Sequence, residues 1–322
     1  MTAFQVRDRA QRRRLLLVAL HLVVPAALIV WIMVAAGEKA APQWTVAADT
    51  GWKQLEAGRE LRTVRLEWPG RPDLARDRAA VKLTAVRLDT LRFSLEAAFN
   101  PVKEGKSLLD FAREAKVPVV VNGGYFGHKG EPVTLLVSGC RELAKASPGL
   151  PWSGVYTLDR AGRAAVRLHA ALKKLPEGCD FAVQNSPMLV AGGQLCWPPA
   201  RRPGQEEKQD EDKPPLRHRR TAAGVDHQGR TMLAVCDSLV SLEEWALLLR
   251  AGEKIGGLGL ADAVNLDGGP SSGLAVDCGD KPTHVPAGVT IPYVLLVRRR
   301  PEPLPAEPKP TEKPPGEFVT PK

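Results

Sequence analysis

The segment Asn265-Leu266-Asp267-Gly268-Gly269-Pro270-Ser271-Ser272-Gly273 gathers an amide, a carboxylate, two hydroxyls and several backbone N–H groups. A strand that ends in such a loop can hold an anion on its N–H groups while Asp267 acts as base or nucleophile. The plainer reading is an Asp-Gly turn. A second group is Asn122-Gly123-Gly124-Tyr125-Phe126, directly after an apolar run. Its glycines allow a sharp turn and a close approach to a ligand, and Asn122 adds an amide donor and acceptor. Alone it reads equally as a tight turn. A third group runs from Arg217 through His218, Arg219, Arg220 and Thr221 to Asp226. An arginine at a strand mouth suits phosphate or carboxylate binding. The competing reading is a solvated basic face that balances the acidic stretch before it.

Taken in order, the stretches VVVNGGYF (119–126), RTAAGVD (220–226) and DAVNLDGGPSS (262–272) resemble the phosphodiester glycosidase family. The helix-like SLEEWALLL (241–249) sits where that family places a helix, and the resemblance spans roughly residues 80–298. It implies a hydrolase that cleaves a sugar-1-phosphodiester at its glycosidic C1–O–phosphate linkage. A known member removes N-acetylglucosamine from a phosphodiester on mannose-6-phosphate. The implied catalytic groups are Asp267, Asp226 and Arg220. The implied substrate-binding groups are Asn122, Gly123, Gly124, Tyr125, Thr221, Asn265, Gly268, Gly269, Ser271 and Ser272. Pro270 departs from the family pattern, which has a small residue there; proline removes one N–H from the loop. The competing class is a non-catalytic protein that binds or helps export an envelope polysaccharide.

The elements that must carry these loops can be read from periodicity. Alternation predicts strands at Thr63–Trp68, Val81–Leu88 and Leu91–Ala97, with shorter ones near Val133–Val137, Gly154–Leu158, Phe181–Gln184 and Thr231–Cys236. Continuous apolar runs at Val117–Val121, Ala263–Leu266 and Tyr293–Val297 predict strands buried on both faces. Ser107–Lys116 has one apolar helical face, and Ser241 with Glu244 forms a capping box opening a helix to about Lys254. Many strands and two helices predict an α+β fold: a mixed, mostly antiparallel sheet core with a few flanking helices, preceded by one transmembrane helix.

The chain has 322 residues and a formal charge of +9. Much of that charge is two clusters, one within residues 1–14 and one at Arg298–Arg300. No basic stripe interleaves with aromatics, so nucleic acid is not an expected partner. Residues 15–36 carry no charged side chain, and their 22 residues span about 30 Å as a helix. Arg12–Arg14 precede them, so an uncleaved anchor with a cytoplasmic N-terminus is expected, with the body periplasmic or extracellular. A cleaved signal peptide is the alternative, and its apolar region is usually shorter.

The expected domains are a basic segment 1–14, the anchor 15–36, a stalk 37–60, the glycosidase-like domain 61–300 and a tail 301–322. The charged, proline-rich stretch 198–219 reads as a disordered insertion, and the tail has eight prolines in 22 residues. Five cysteines include no CxxC; Cys179 with Cys196 and Cys236 with Cys278 are candidate pairs, and free thiols are the alternative. Gly269-Pro-Ser271-Ser-Gly273 matches GxSxG, but an extended stretch rather than a helix follows, against a nucleophile elbow. No ligand set for a metal is evident, and no cofactor is expected; a divalent ion at Asp267 is not indicated.

Overall fold

Apolar and β-branched runs broken by Gly, Asp and Pro give many short strands. The structure is a computed structural model that describes residues 44–69, 80–100, 106–150, 152–196, 215–279 and 281–302. In chain order its first strands are β1 (Thr45–Asp49), β2 (Lys53–Glu56), β3 (Arg59–Glu67), β4 (Ala80–Leu88), β5 (Phe93–Phe99) and β6 (Val119–Asn122). Then come β7 (Leu136–Ser138), β8 (Arg141–Ala144), β9 (Gly154–Asp159), β10 (Ala164–Leu168), β11 (Cys179–Asn185), β12 (Met188–Ala191) and β13 (Gln194–Leu195). The last are β14 (His218–Asp226), β15 (Thr231–Val240), β16 (Leu260–Asn265), β17 (Leu274–Val276), β18 (Thr283–Val285) and β19 (Tyr293–Arg299). Helix α1 spans Leu108–Ala115 and α2 spans Leu242–Arg250.

Nine strands form one sheet in the order β1-β3-β4-β15-β14-β16-β12-β13, with β2 on β3. Two five-stranded sheets follow the orders β10-β9-β11-β7-β8 and β18-β17-β6-β19-β5. Every ladder among the described residues is antiparallel, so the sheets are not mixed.

Period-two alternation decides which core each side chain enters. In β15, Leu233 and Val235 join a core shared by all three sheets. Met232, Ala234 and Cys236 face the opposite side, with Trp245, Leu248 and Leu249 of α2. In β19, Leu295 and Val297 enter the shared core, while Val294 and Leu296 meet Leu108 and Phe111 of α1. Helices on the outer faces explain why these strands read as continuous apolar runs.

Both helices start with a capping box. Ser107 Oγ accepts the Asp110 N–H at 3.2 Å, and Ser241 Oγ accepts the Glu244 N–H at 3.1 Å. Helix α2 stops at Arg250, short of the expected Lys254. Ala251 leaves the helical region at ψ 143°, and Glu253–Ile255 make a 3-10 turn. The chain then folds back so tightly that a Cβ on Gly257 would lie 2.1 Å from the Ala251 carbonyl oxygen.

Three expectations are corrected. Residues 45–56 are not a stalk: they supply β1 and β2 of the large sheet. Trp44 is buried, its Nε1–H donating to Ile255 O at 2.6 Å. The Trp52 ring stacks 4.1 Å from the Arg87 guanidinium. His218 and Arg219 are not part of a disordered insertion, because they begin β14. Cys236 and Cys278 pack against different cores, so the fold does not pair them. Segments 1–14 and 15–36, insertion residues 198–214 and tail residues 303–322 lie outside the described residues. Among the described residues no helix is long and apolar enough to cross a membrane.

Trp245 is fully buried in the α2 core. Trp245→Ala is expected to cost about 3–5 kcal/mol of folding stability, measured by urea unfolding.

Candidate functional site

Three strand ends meet here. β14 and β16 are neighbours, with Ala222 opposite Asn265, and β6 arrives from another sheet. The Leu266 N–H donates to Thr221 O at 2.8 Å, and the Asp267 N–H to Gly123 O at 3.3 Å. Asn122 closes the junction. Its Nδ2 donates to Asp267 O at 2.9 Å and to Gly123 O at 3.1 Å. Its Oδ1 accepts from Thr221 Oγ1 at 2.8 Å and from the Gly273 N–H at 3.1 Å. Asn122 and Thr221 are fully buried. All the amide's ordinary hydrogen-bonding positions are filled by protein. Asn122 and Thr221 therefore hold the site together and do not face a substrate, contrary to the sequence expectation.

Gly123 and Gly124 also serve packing. A Cβ on Gly123 would lie 2.2 Å from Tyr293 Cε2, and one on Gly124 would lie 2.8 Å from the Tyr293 hydroxyl. The close approach they permit is to the Tyr293 ring. Tyr125 donates its hydroxyl to Ser186 O at 2.7 Å and its N–H to Asn185 Oδ1 at 3.2 Å. Asn265 Nδ2 donates to Leu266 O at 2.7 Å and Ser186 O at 3.2 Å. Asn185 and Ser186 belong to this neighbourhood and were not singled out from sequence. The signal was present: the β11 run ends in Asn185-Ser186-Pro187, as the other two loops end in amide and hydroxyl residues.

Asp267 sits at the centre, largely shielded. Burial raises its pKa above the ordinary aspartate value, while hydrogen bonds from Ser271 and the Gly268 N–H pull the other way. The Gly268 N–H donates to Asp267 Oδ1 at 2.9 Å, so it is engaged within the loop. Gly269 adopts φ +63° and starts a 3-10 turn through Ser271. Pro270 fits the start of that turn, where a missing N–H costs nothing. Its carbonyl accepts the Gly288 N–H at 2.7 Å. Ser271 is buried, and Ser272 is fully buried with no partner for its hydroxyl among the described residues.

The basic residues before this loop have different fates. Arg217 pairs with Glu244 at 3.0 Å, and Arg219 with Asp237 at 2.9 Å. Arg220 has no carboxylate partner among the described residues. Its Nε donates to Val240 O at 3.1 Å and its Nη2 to Leu216 O at 3.3 Å. Nη1 is left over, 3.9 Å from where a Cβ on Gly268 would stand. Burial lowers the pKa of Arg220, but an arginine keeps its charge. Burial and the nearby Asp267 charge raise the pKa of the Tyr125 hydroxyl, and Arg220 opposes them.

Asp226 is not in this group. It ends β14, six residues and roughly 20 Å along the strand from Arg220. There it accepts from the Gln228 and Arg230 N–H groups, each at 2.9 Å, and pairs with Arg230 Nε at 2.8 Å. It is a turn-forming carboxylate, which corrects its expected catalytic role. A cavity of about 410 Å³ between α1 and the end of β17 holds none of the residues singled out above. Among the described residues no three His, Cys, Asp or Glu side chains converge as a metal site.

A family model of phosphodiester glycosidases matches residues 115–298, which include every element that meets at Asp267. The chain belongs to the phosphodiester glycosidase family. A solved structure with a similar fold is the catalytic domain of zebrafish N-acetylglucosamine-1-phosphodiester alpha-N-acetylglucosaminidase, auto-inhibited by its pro-peptide. Identity is 16%, the TM-score is 0.54, and 80% of this chain and 88% of that chain are covered. A hypothetical protein from Synechocystis aligns at 15% identity and a TM-score of 0.44, over 76% of this chain and 62% of that one. Comparison with curated proteins gives no match.

Asn122→Ala is expected to destabilise the fold by about 1–3 kcal/mol, because buried groups on β14 and on the 266–273 loop lose their partner. Urea unfolding measures it. Asp267 is protonated more readily folded than unfolded, so its ionisation costs stability as pH rises above the unfolded value of 3.8. Asp267→Asn is expected to raise the melting temperature at pH 7, and the gain should vanish as pH falls below that value.

Proposed function

We propose that this chain hydrolyses a sugar-1-phosphodiester, breaking the bond between the sugar C1 and the phosphodiester oxygen. The observation that supports this most is Arg220: a buried guanidinium with no carboxylate partner among the described residues and one nitrogen left over beside the Asp267 loop. An uncompensated buried charge of this kind suits an anionic ligand group. A departing phosphodiester is weakly basic and needs charge neutralisation more than protonation. Arg220 would supply that charge.

Asp267 would take the proton of the attacking water as the new C1–O bond forms and the phosphate leaves with the old bonding pair. Its burial raises its basicity, which favours proton transfer at neutral pH. The same carboxylate would also stabilise positive charge developing at the sugar ring. Tyr125 and Ser271 border it and would set the orientation of sugar or phosphate oxygens.

The body is proposed to work in the periplasm or outside the cell, in envelope or exopolysaccharide metabolism, held by residues 15–36. Support for that placement is the uncharged 22-residue run preceded by Arg12–Arg14.

The test is sugar release from a panel of sugar-1-phosphodiesters and UDP-sugars. Arg220→Ala is expected to lower kcat/KM by about 10²–10³-fold, the range for loss of one transition-state anion contact. Asp267→Asn should lower it by about 10²–10⁴-fold. Asp226→Asn should leave the rate unchanged. Unaltered turnover in the first two variants would refute the assignment.

A further inference from the structure

Two cysteines come near one another at one edge of the β7–β11 ladder, away from Asp267. Cys140 and Gly139 form the turn between β7 and β8, at φ 59° and 58°. The ladder ends with Ser138 paired to Phe181, and beyond it Cys140 comes beside Asp180, the chain neighbour of Cys179. The backbones stay in contact there, because the Cys140 N–H donates to Asp180 O at 3.1 Å. A bulge between Cys179 and Phe181 breaks the usual alternation of side chains beside the turn. Cys140 Sγ lies 3.3 Å from Asp180 Oδ1, and Arg160 Nε donates to it at 3.0 Å. Arg160 is itself anchored, its N–H donating to Gly178 O at 2.9 Å. Cys140 is exposed, Cys179 is half-buried, and both are free thiols.

We infer that Cys140 and Cys179 are a thiol pair that closes to a disulfide on contact with a small disulfide oxidant. Each thiol acts as a thiolate. Cys140, the exposed thiol, gives up its proton and attacks one sulfur of the oxidant. The oxidant's S–S bond breaks and one thiolate leaves, taking up a proton. Cys179 then loses its proton and attacks the Cys140 sulfur of the mixed disulfide, releasing the second thiol. Two protein thiols are oxidised, and one external disulfide is reduced to two thiols. Burial, followed by the charge of Cys140, pushes the Cys179 thiol up to about 11. The closing step therefore speeds up as pH rises. The bridge would fasten the β7–β8 turn to β11, the strand that leads to Asn185.

The experiment treats the full chain with oxidised glutathione, then counts thiols and maps peptides by mass spectrometry. Two of the five thiols should be lost, the mass should fall by ~2 Da, and one peptide should join positions 140 and 179. Cys179→Ser should instead accumulate a glutathione adduct on Cys140, and Cys140→Ser should form no internal bridge. Five titratable thiols in the treated wild-type chain would overturn the inference. So would a bridge joining other cysteines, or an unmodified Cys140 in Cys179→Ser.

Discussion

One buried amide holds the candidate site in register. Asn122 ends a strand of one sheet and binds the loop that leaves another sheet. It also binds Thr221 on β14 and the far end of the same loop at Gly273. Four short bonds, to its own turn, to β14 and to both ends of the 266–273 loop, leave the amide no alternative arrangement without unsatisfied buried groups. The position of Asp267 follows from this, because its own carbonyl and N–H are both tied to the Asn122 turn. The Gly123 and Gly124 backbone must then lie flat under Tyr293, so neither position tolerates a side chain.

With the backbone fixed in this way, burial does the electrostatic work. Asp267 is made more basic and Arg220 is desolvated, yet no ion pair joins them among the described residues. Two protein carbonyls orient the guanidinium without neutralising it. Arg217 and Arg219, a few residues earlier, spend their charge on Glu244 and Asp237. The contrast separates an arginine that holds the fold from one open to a ligand. The same separation removes Asp226, whose carboxylate is consumed by Arg230 and a turn.

Much of this was legible in the sequence where one physical rule dominated. Alternation located β15, a continuous apolar run located β19, and Ser241 with Glu244 located the start of α2. Strands β1 and β2 were not legible, because Lys53-Gln54-Leu55-Glu56 has no apolar period. They are held by Trp44, Trp52 and arginines distant in sequence. The three loops were visible as residue types, but not which side chains were already saturated. Asn122 and Arg220 look alike as polar residues at strand ends; only the fold shows one filled and the other open. Asp226 was grouped with Arg220 by motif, and the length of an extended strand parts them.

The central claim is that Arg220 and Asp267 face one bound phosphodiester from the same loop surface. It is tested most directly by a crystal structure of the Asp267→Asn variant soaked with an intact sugar-1-phosphodiester. The account predicts phosphate oxygens within about 3 Å of Arg220 Nη1, with the sugar C1 beside position 267. A phosphodiester bound elsewhere, with Arg220 still facing only Val240 and Leu216, would contradict it.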